Sequence, residues 1–99
     1  MAYSLPCDFE WDERKSDACM KERGFDFAAI LPAFADPTRH IELDDRYEYG
    51  EERFRLFGQV ERRLFVIVFA LRGRTIRIIS ARKANRREQK SHGKGEGKA

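Results

Sequence analysis

The sequence predicts an α+β domain with two N-terminal helices, an antiparallel four-stranded sheet and a C-terminal helix. Three observations predict it. Apolar residues recur at helical spacing in the first third of the chain, at Phe27, Ile30, Leu31 and Phe34. From His40 to Ser80 the pattern changes to alternation, which marks strands. The helical stretches are segregated from the alternating ones, which selects α+β over an interleaved parallel design.

The elements follow in order. Phe9 and Trp11 alternate with Glu10 and Asp12, as in a short strand or an extended lead-in. Asp12 reads as a helix N-cap and Gly24 as the residue that stops the helix, so the first helix spans about Glu13 to Arg23. Glu13 suits the positive end of that helix. Its buried stripe is thin, formed by Ala18, Cys19 and the stem of Lys15. Asp26 caps a second, short or kinked helix ending near Phe34, because Pro32 removes a hydrogen bond past the first turn. His40 to Leu43 alternates as an edge strand, and Asp44 to Glu51 is an acidic loop. Arg53 to Gln59 is the second strand, with Phe54 and Leu56 on one face and Arg53, Arg55 and Phe57 on the other. Leu64 to Leu71 is apolar on both faces and reads as the central strand. Arg72-Gly73-Arg74 is a tight turn into Thr75 to Ser80. A polar helix from about Lys83 to Lys90 follows. The domain is expected to span residues 1–90, with a disordered basic tail at residues 91–99.

Composition narrows the function. Ninety-nine residues make one domain with a modest core. Charged residues make up 37% of the chain, and they are divided unevenly. Met1 to Glu52 carries 6 Lys/Arg against 14 Asp/Glu, a net of −8, whereas Arg53 to Ala99 carries 14 against 3, a net of +11. Such a division points to nucleic acid or another polyanion as partner. Two cysteines, Cys7 and Cys19, form no disulfide framework and no CxxC metal motif, consistent with a reducing cytoplasm. The N-terminus has no secretory pattern. The longest apolar run, Leu64 to Leu71, is too short to span a bilayer, so no membrane partner is expected. No cofactor-binding, zinc or calcium motif is present.

The arginines carry the chemistry. Arg53, Arg55 and Arg77 share one sheet face if their strands flank the central one, and Arg82 follows at the strand's end. A guanidinium is a planar fork of donors that fits phosphate oxygens and stays charged at biological pH. Phe57 on that face offers a surface on which an unpaired base stacks. The competing reading is structural: solvated arginines, with Arg77 satisfied by an ion pair to Glu51 or Glu52. Arg55, Phe57, Lys83 and Arg86 are the candidate RNA-binding residues. His40 and Glu52 are weak candidates for a general base, His92 falls in the tail, and Ser80 lacks the His–Asp support of a serine nucleophile.

Several segments resemble the BrnT family of toxins. They are Phe9-Glu10-Trp11-Asp12, Gly24-Phe25-Asp26-Phe27, Asp36-Pro37, Gly50-Glu51-Glu52-Arg53-Phe54 and the run from Ile76 to Glu88, with its I-R-I-I-S-A-R-x-A core. The resemblance runs from about Phe9 to His92. It implies a RelE-like fold, a ribonuclease that cleaves messenger RNA, and a BrnA-like antitoxin that supplies DNA binding, so that DNA is reached only through the partner. Arg53, Arg77, Ser80 and Arg82 fall on the shared motifs, with Glu52 a further candidate, and these five are the expected catalytic set. The chain departs from the family at Cys19, Glu22 and Arg23, where members often carry Asn, Lys and His, and at His92, where an aromatic often ends the last helix. Arg23 can hold a phosphate but cannot serve as a base near neutral pH.

The expected function is metal-independent RNA cleavage by attack of the 2′-hydroxyl, in the cytoplasm, without a cofactor. The alternative is a non-catalytic basic module that grips nucleic acid or an acidic protein.

Overall fold

The structure, a computed structural model, describes residues 8–46, 48 and 50–98, and the side chains of its last helix as far as Gly93. Cys7 lies outside the described residues. The chain runs β1 (Asp8–Trp11), α1 (Glu13–Arg23), a 3-10 helix (Ala28–Ala35), β2 (His40–Leu43), β3 (Phe54–Val60), β4 (Arg63–Arg72), β5 (Thr75–Lys83) and α2 (Arg86–Lys98).

The sheet corrects the expected four-stranded antiparallel meander. It has five strands in the order β1-β5-β4-β3-β2, and β1 lies parallel to β5, so the sheet is mixed. The expected strands pair antiparallel in sequence order, with β4 in the middle. What local patterning missed is the return of the N-terminus to the far edge. Phe9 pairs with Ile76 and Trp11 with Ile78. Four alternating residues carry too little signal to separate a strand from a lead-in. Their pairing partner lies more than sixty residues away.

The helices hold where capping chemistry is explicit. Asp12 caps α1 by accepting from the Arg14 amide, and Gly24 ends it with φ 87°. The buried residues of α1 are Ser16 and Cys19, and Ala18 is exposed. Ser16 is buried because its hydroxyl accepts the Phe27 amide at 3.0 Å, tying the helix to the next segment. That segment is a 3-10 helix. Pro32, inside it, offers no N–H, which short i→i+3 turns tolerate better than a continuing α-helix. The last helix also begins later than expected. β5 continues through Lys83, and α2 starts at Arg86.

The core sits between one face of the sheet and the layer of α1 and the 3-10 helix. Ile30, Leu56, Ile67 and Ile78 are its largest fully buried side chains. Each contributes roughly 1.5–3 kcal/mol by leaving water. Aromatic edges lock the layers: Phe34 meets Phe9 at 5.1 Å and Phe69 at 5.3 Å. Gly58 allows the close approach of the 3-10 helix, since a Cβ there would lie 2.7 Å from the Ala33 carbonyl oxygen. The opposite face of the sheet has only a small apolar cluster, where Leu64 and Val66 meet Ala84 beside Phe57.

Candidate functional site

That second face carries the arginines, and backbone register puts them there. Residues directly opposite on neighbouring strands point to the same side. Arg55 pairs with Val68, and Val68 pairs with Ser80. Phe57 pairs with Val66, and Val66 pairs with Arg82. Ala70 pairs with Arg77. Arg53 lies one residue before β3 and continues the parity of Arg55 and Phe57. Its carbonyl extends the ladder by accepting from the Asp44 amide at 2.7 Å.

Strict alternation would separate these groups. Arg77 and Arg82 are an odd number of residues apart and would face opposite sides of a regular strand. A register shift between Val68 and Phe69 leaves Ile79 without a partner, since Ile78 pairs with Phe69 and Ser80 with Val68. This bulge returns Ser80 and Arg82 to the side of Arg77 while Ile78 and Ala81 both stay in the core.

The guanidinium groups do not stand bare. Arg55 donates to Glu42 at 2.9 Å, and Arg77 donates to Glu10 at 3.3 Å. The competing reading, a structural ion pair for Arg77, is met, but the partner is Glu10 and not Glu51 or Glu52; it comes from β1, the strand the sequence did not place. Glu51 bridges Arg53 at 3.8 Å and Arg72 at 3.3 Å, and Glu10 bridges Arg72 at 3.9 Å and Arg77. Arg72, expected only as a turn residue, therefore joins the row. Arg82 makes two parallel bonds of 2.8 Å to Glu88. Those bonds, which outweigh the cost of burial, hold the Glu88 carboxyl at about 2, well below its ordinary 4.5. The Glu88 bonds likewise push the Arg82 guanidinium up.

Magnitudes separate these pairs. Glu10 and Glu42 are 42% and 40% exposed, and such pairs are worth about 0–1 kcal/mol. Glu88 is only 21% exposed and also caps α2: its carboxylate accepts the Asn85 amide at 2.9 Å while the Asn85 side chain accepts the Glu88 amide at 2.8 Å. Arg82 is consequently bound into the docking of α2.

Other expected residues lie apart from the row. Glu52 is exposed in the loop before β3. Lys83 pairs with Phe65, a core-facing position, and Arg86 is exposed at the start of α2. Ser80 is exposed, and it also borders a hollow of about 280 Å³ beside α1 together with Cys19, Glu22 and Arg23. The departures at Cys19, Glu22 and Arg23 therefore surround one place. Burial raises the Cys19 thiol, only partly offset by Arg23, so it is a packing group and not a nucleophile.

A larger cleft, about 780 Å³, opens between α2 and the β2–β3 edge. Its walls include Thr38, His40, Glu42, Phe57, Glu88 and His92. The sequence offered little sign of it. His40 meets Phe57 only through the β2–β3 register, which sets them opposite each other with rings 6.1 Å apart. His92 reaches the cleft only because α2 continues past Lys90. Among the described residues no group of three His, Cys, Asp or Glu side chains gathers to hold a metal ion, and no helix is long and apolar enough to cross a membrane.

A comparison with curated proteins returned no match. A comparison with family models matched residues 11–88 to the ribonuclease toxin BrnT of type II toxin–antitoxin systems. That match takes in β1's last residue, the whole arginine row and the Glu88 cap, and with it the chain belongs to the BrnT family of type II ribonuclease toxins.

Proposed function

We propose that this protein is a metal-independent endoribonuclease that cuts messenger RNA in the cytoplasm and is neutralised by a BrnA-like antitoxin, DNA being reached only through that partner. Family membership carries an antitoxin partner and an RNA substrate with it. The observation that supports the rest is the placement of Arg53, Arg55 and Arg77 on the sheet face that the N-terminal helices leave uncovered.

Arg53 and Arg77 lie on either side of β4, about 10 Å apart at the backbone from the spacing of strands. Both forks can turn toward one phosphodiester between them. Their roles are to hold the scissile phosphate and to stabilise the charge that grows on it as the 2′-oxygen attacks. Arg55 and Phe57 hold the neighbouring nucleotide, one by charge and one by stacking. Lys83 and Arg86 extend the positive potential at the end of β5. Ser80 and Glu52 are peripheral to the phosphate, and Arg82 acts chiefly by fixing α2.

The experiment is cleavage of an oligoribonucleotide in EDTA by wild type and by Arg77→Ala. Loss of one such donor lowers the rate about a hundredfold. Equal cutting by both proteins removes Arg77 from the mechanism. Loss of cutting by the wild type on adding EDTA removes metal independence. A second reading, a binding module without catalysis, draws on the carboxylates already paired with the arginines. Growth separates the two, because a nuclease expressed alone arrests cells and a mere binder does not.

A further inference from the structure

We propose that the cleft between α2 and the β2–β3 edge is a nucleobase subsite that reads guanine in the RNA strand, one or two nucleotides away from the cut. The inference rests on the ribonuclease reading above and deepens it. The arginine row grips any phosphodiester and distinguishes no sequence, because contacts to phosphates carry no base information.

Register sets the distance. Phe57 lies four residues beyond Arg53 on the same face, about 13 Å along the strand, and Arg55 stands between them. With the reacting phosphate at Arg53 and Arg77, an RNA strand that follows β3 passes Arg55 at its next phosphate. It then brings a flanking base, not the reacting bond, to the cleft. The cleft's volume of about 780 Å³ lies within the range of ligand sites.

Phe57 supplies the stacking surface. It is half-buried and packs beside Leu64, Val66 and Ala84, so the ring is held in place before a base arrives. Stacking alone accepts every base. Selection comes from Glu42, which stands opposite Arg55 on β2, diagonal to Phe57, and is 40% exposed. A carboxylate on a phosphate-binding face repels the RNA backbone and suits only a group that donates hydrogen bonds. Its Oε2 accepts from Arg55 at 2.9 Å, which orients the carboxylate, and its Oε1 lies 3.7 Å from His40 Nε2, too far for a hydrogen bond. Each oxygen keeps a lone pair for a further donor. The cleft's second carboxylate is already engaged: both Glu88 oxygens accept from Arg82, and one also accepts from the Asn85 amide. Thr38 and Arg39 are likewise turned toward Asp36. Guanine presents two adjacent donors, N1–H and N2–H, which match the two oxygens of a carboxylate, with the acceptors O6 and N7 beside them. Arg87 lines the wall formed by α2 and carries the guanidinium that such acceptors take. Adenine, cytosine and uracil lack that adjacent pair of donors and fit Glu42 less well.

The test uses the full chain. Oligoribonucleotides with a single cutting site are varied through all four bases at each position within two nucleotides of the cut, and the rates are compared. The wild type is expected to cut at least about tenfold faster with guanine at one of those positions. Glu42→Gln keeps the shape of the side chain but replaces an acceptor with a donor, and it brings that ratio within about threefold. Phe57→Leu slows cutting about fivefold or more whatever the base and keeps guanine first. Arg77→Ala slows every sequence alike and leaves the ratio as it was. Melting curves accompany each variant, and Glu42→Ala or Phe57→Met replaces one that fails to fold. If the wild type cuts with no preference in that window, or Glu42→Gln keeps the preference, the subsite is overturned and the ribonuclease reading stands. If the wild type does not cut, the ribonuclease reading falls and binding decides the subsite. Uncleavable 2′-O-methyl oligonucleotides then bind tightest with guanine, and Glu42→Gln abolishes the difference. Equal affinity for the four bases overturns the subsite. So does guanosine monophosphate binding as tightly as the oligonucleotide, which marks a site for free nucleotides.

Discussion

Replacing Glu88 with glutamine tests whether the last helix is held to the sheet by one ion pair. Glutamine at this position can still accept the Asn85 amide, so Glu88→Gln keeps the helix cap and removes only the charge facing Arg82. The carboxyl is held at about 2 against an ordinary 4.5. At about 1.4 kcal/mol per unit this bounds its contribution near 3 kcal/mol. The Arg82 side chain is 41% exposed, and solvent screening reduces the figure to about 1–2 kcal/mol. The sign follows from the folded carboxyl being the more acidic. Its stabilisation is fully present above about pH 4.5 and is lost as pH falls toward about 2. At pH 7, Glu88→Gln is expected to melt about 5–10 °C below wild type, taking about 0.2 kcal/mol per degree for a chain of this length. The gap between the two proteins should close between pH 4.5 and pH 2, whatever the other carboxylates do to both. Glu88→Ala also loses the cap and costs about 1 kcal/mol more. The measurement is thermal unfolding by circular dichroism across that range. A gap of the same size at pH 6 and pH 2.5, or equal melting temperatures at pH 7, refutes the assignment.

Two further outcomes concern the scaffold. Gly58→Ala drives a methyl group to 2.7 Å from the Ala33 carbonyl oxygen and 2.8 Å from a Leu56 methyl, so it should destabilise the fold by about 2–3 kcal/mol. An unchanged urea midpoint would mean that the 3-10 helix does not sit this close to β3. The β3–β4 turn places Glu61 at φ 51° and Arg62 at φ 70°, a left-handed pair that asparagine and glycine adopt at less cost. Glu61→Asn with Arg62→Gly should therefore stabilise the protein by about 1 kcal/mol in urea unfolding, and a loss of stability would contradict that backbone geometry.

The turn and the edge of the sheet show where sequence reasoning stopped. The helix from Asp12 to Gly24 was legible because its capping groups act within a few residues of each other. The β2–β3–β4–β5 meander was legible for the same reason, as a run of alternating segments that pair with their nearest neighbours. Glu61-Arg62 gave no turn signal, because their left-handed conformation is imposed by the strands they connect. β1 gave almost none, because its partner is distant in sequence and parallel.

For the site, the sequence by itself determined which groups could meet a phosphate: the basic half of the chain, and the shared parity of Arg53, Arg55 and Phe57. It also carried the motifs by which the chain belongs to its family. Only the tertiary structure decided how those groups are arranged. One unpaired residue at Ile79 turned Ser80 and Arg82 to the side of Arg77, β1 brought Glu10 to Arg77, and the length of α2 carried His92 to the wall facing His40. Side-chain direction along a strand depends on a count of residues that a single bulge inverts. Contacts between the ends of a chain depend on a register that no local pattern encodes.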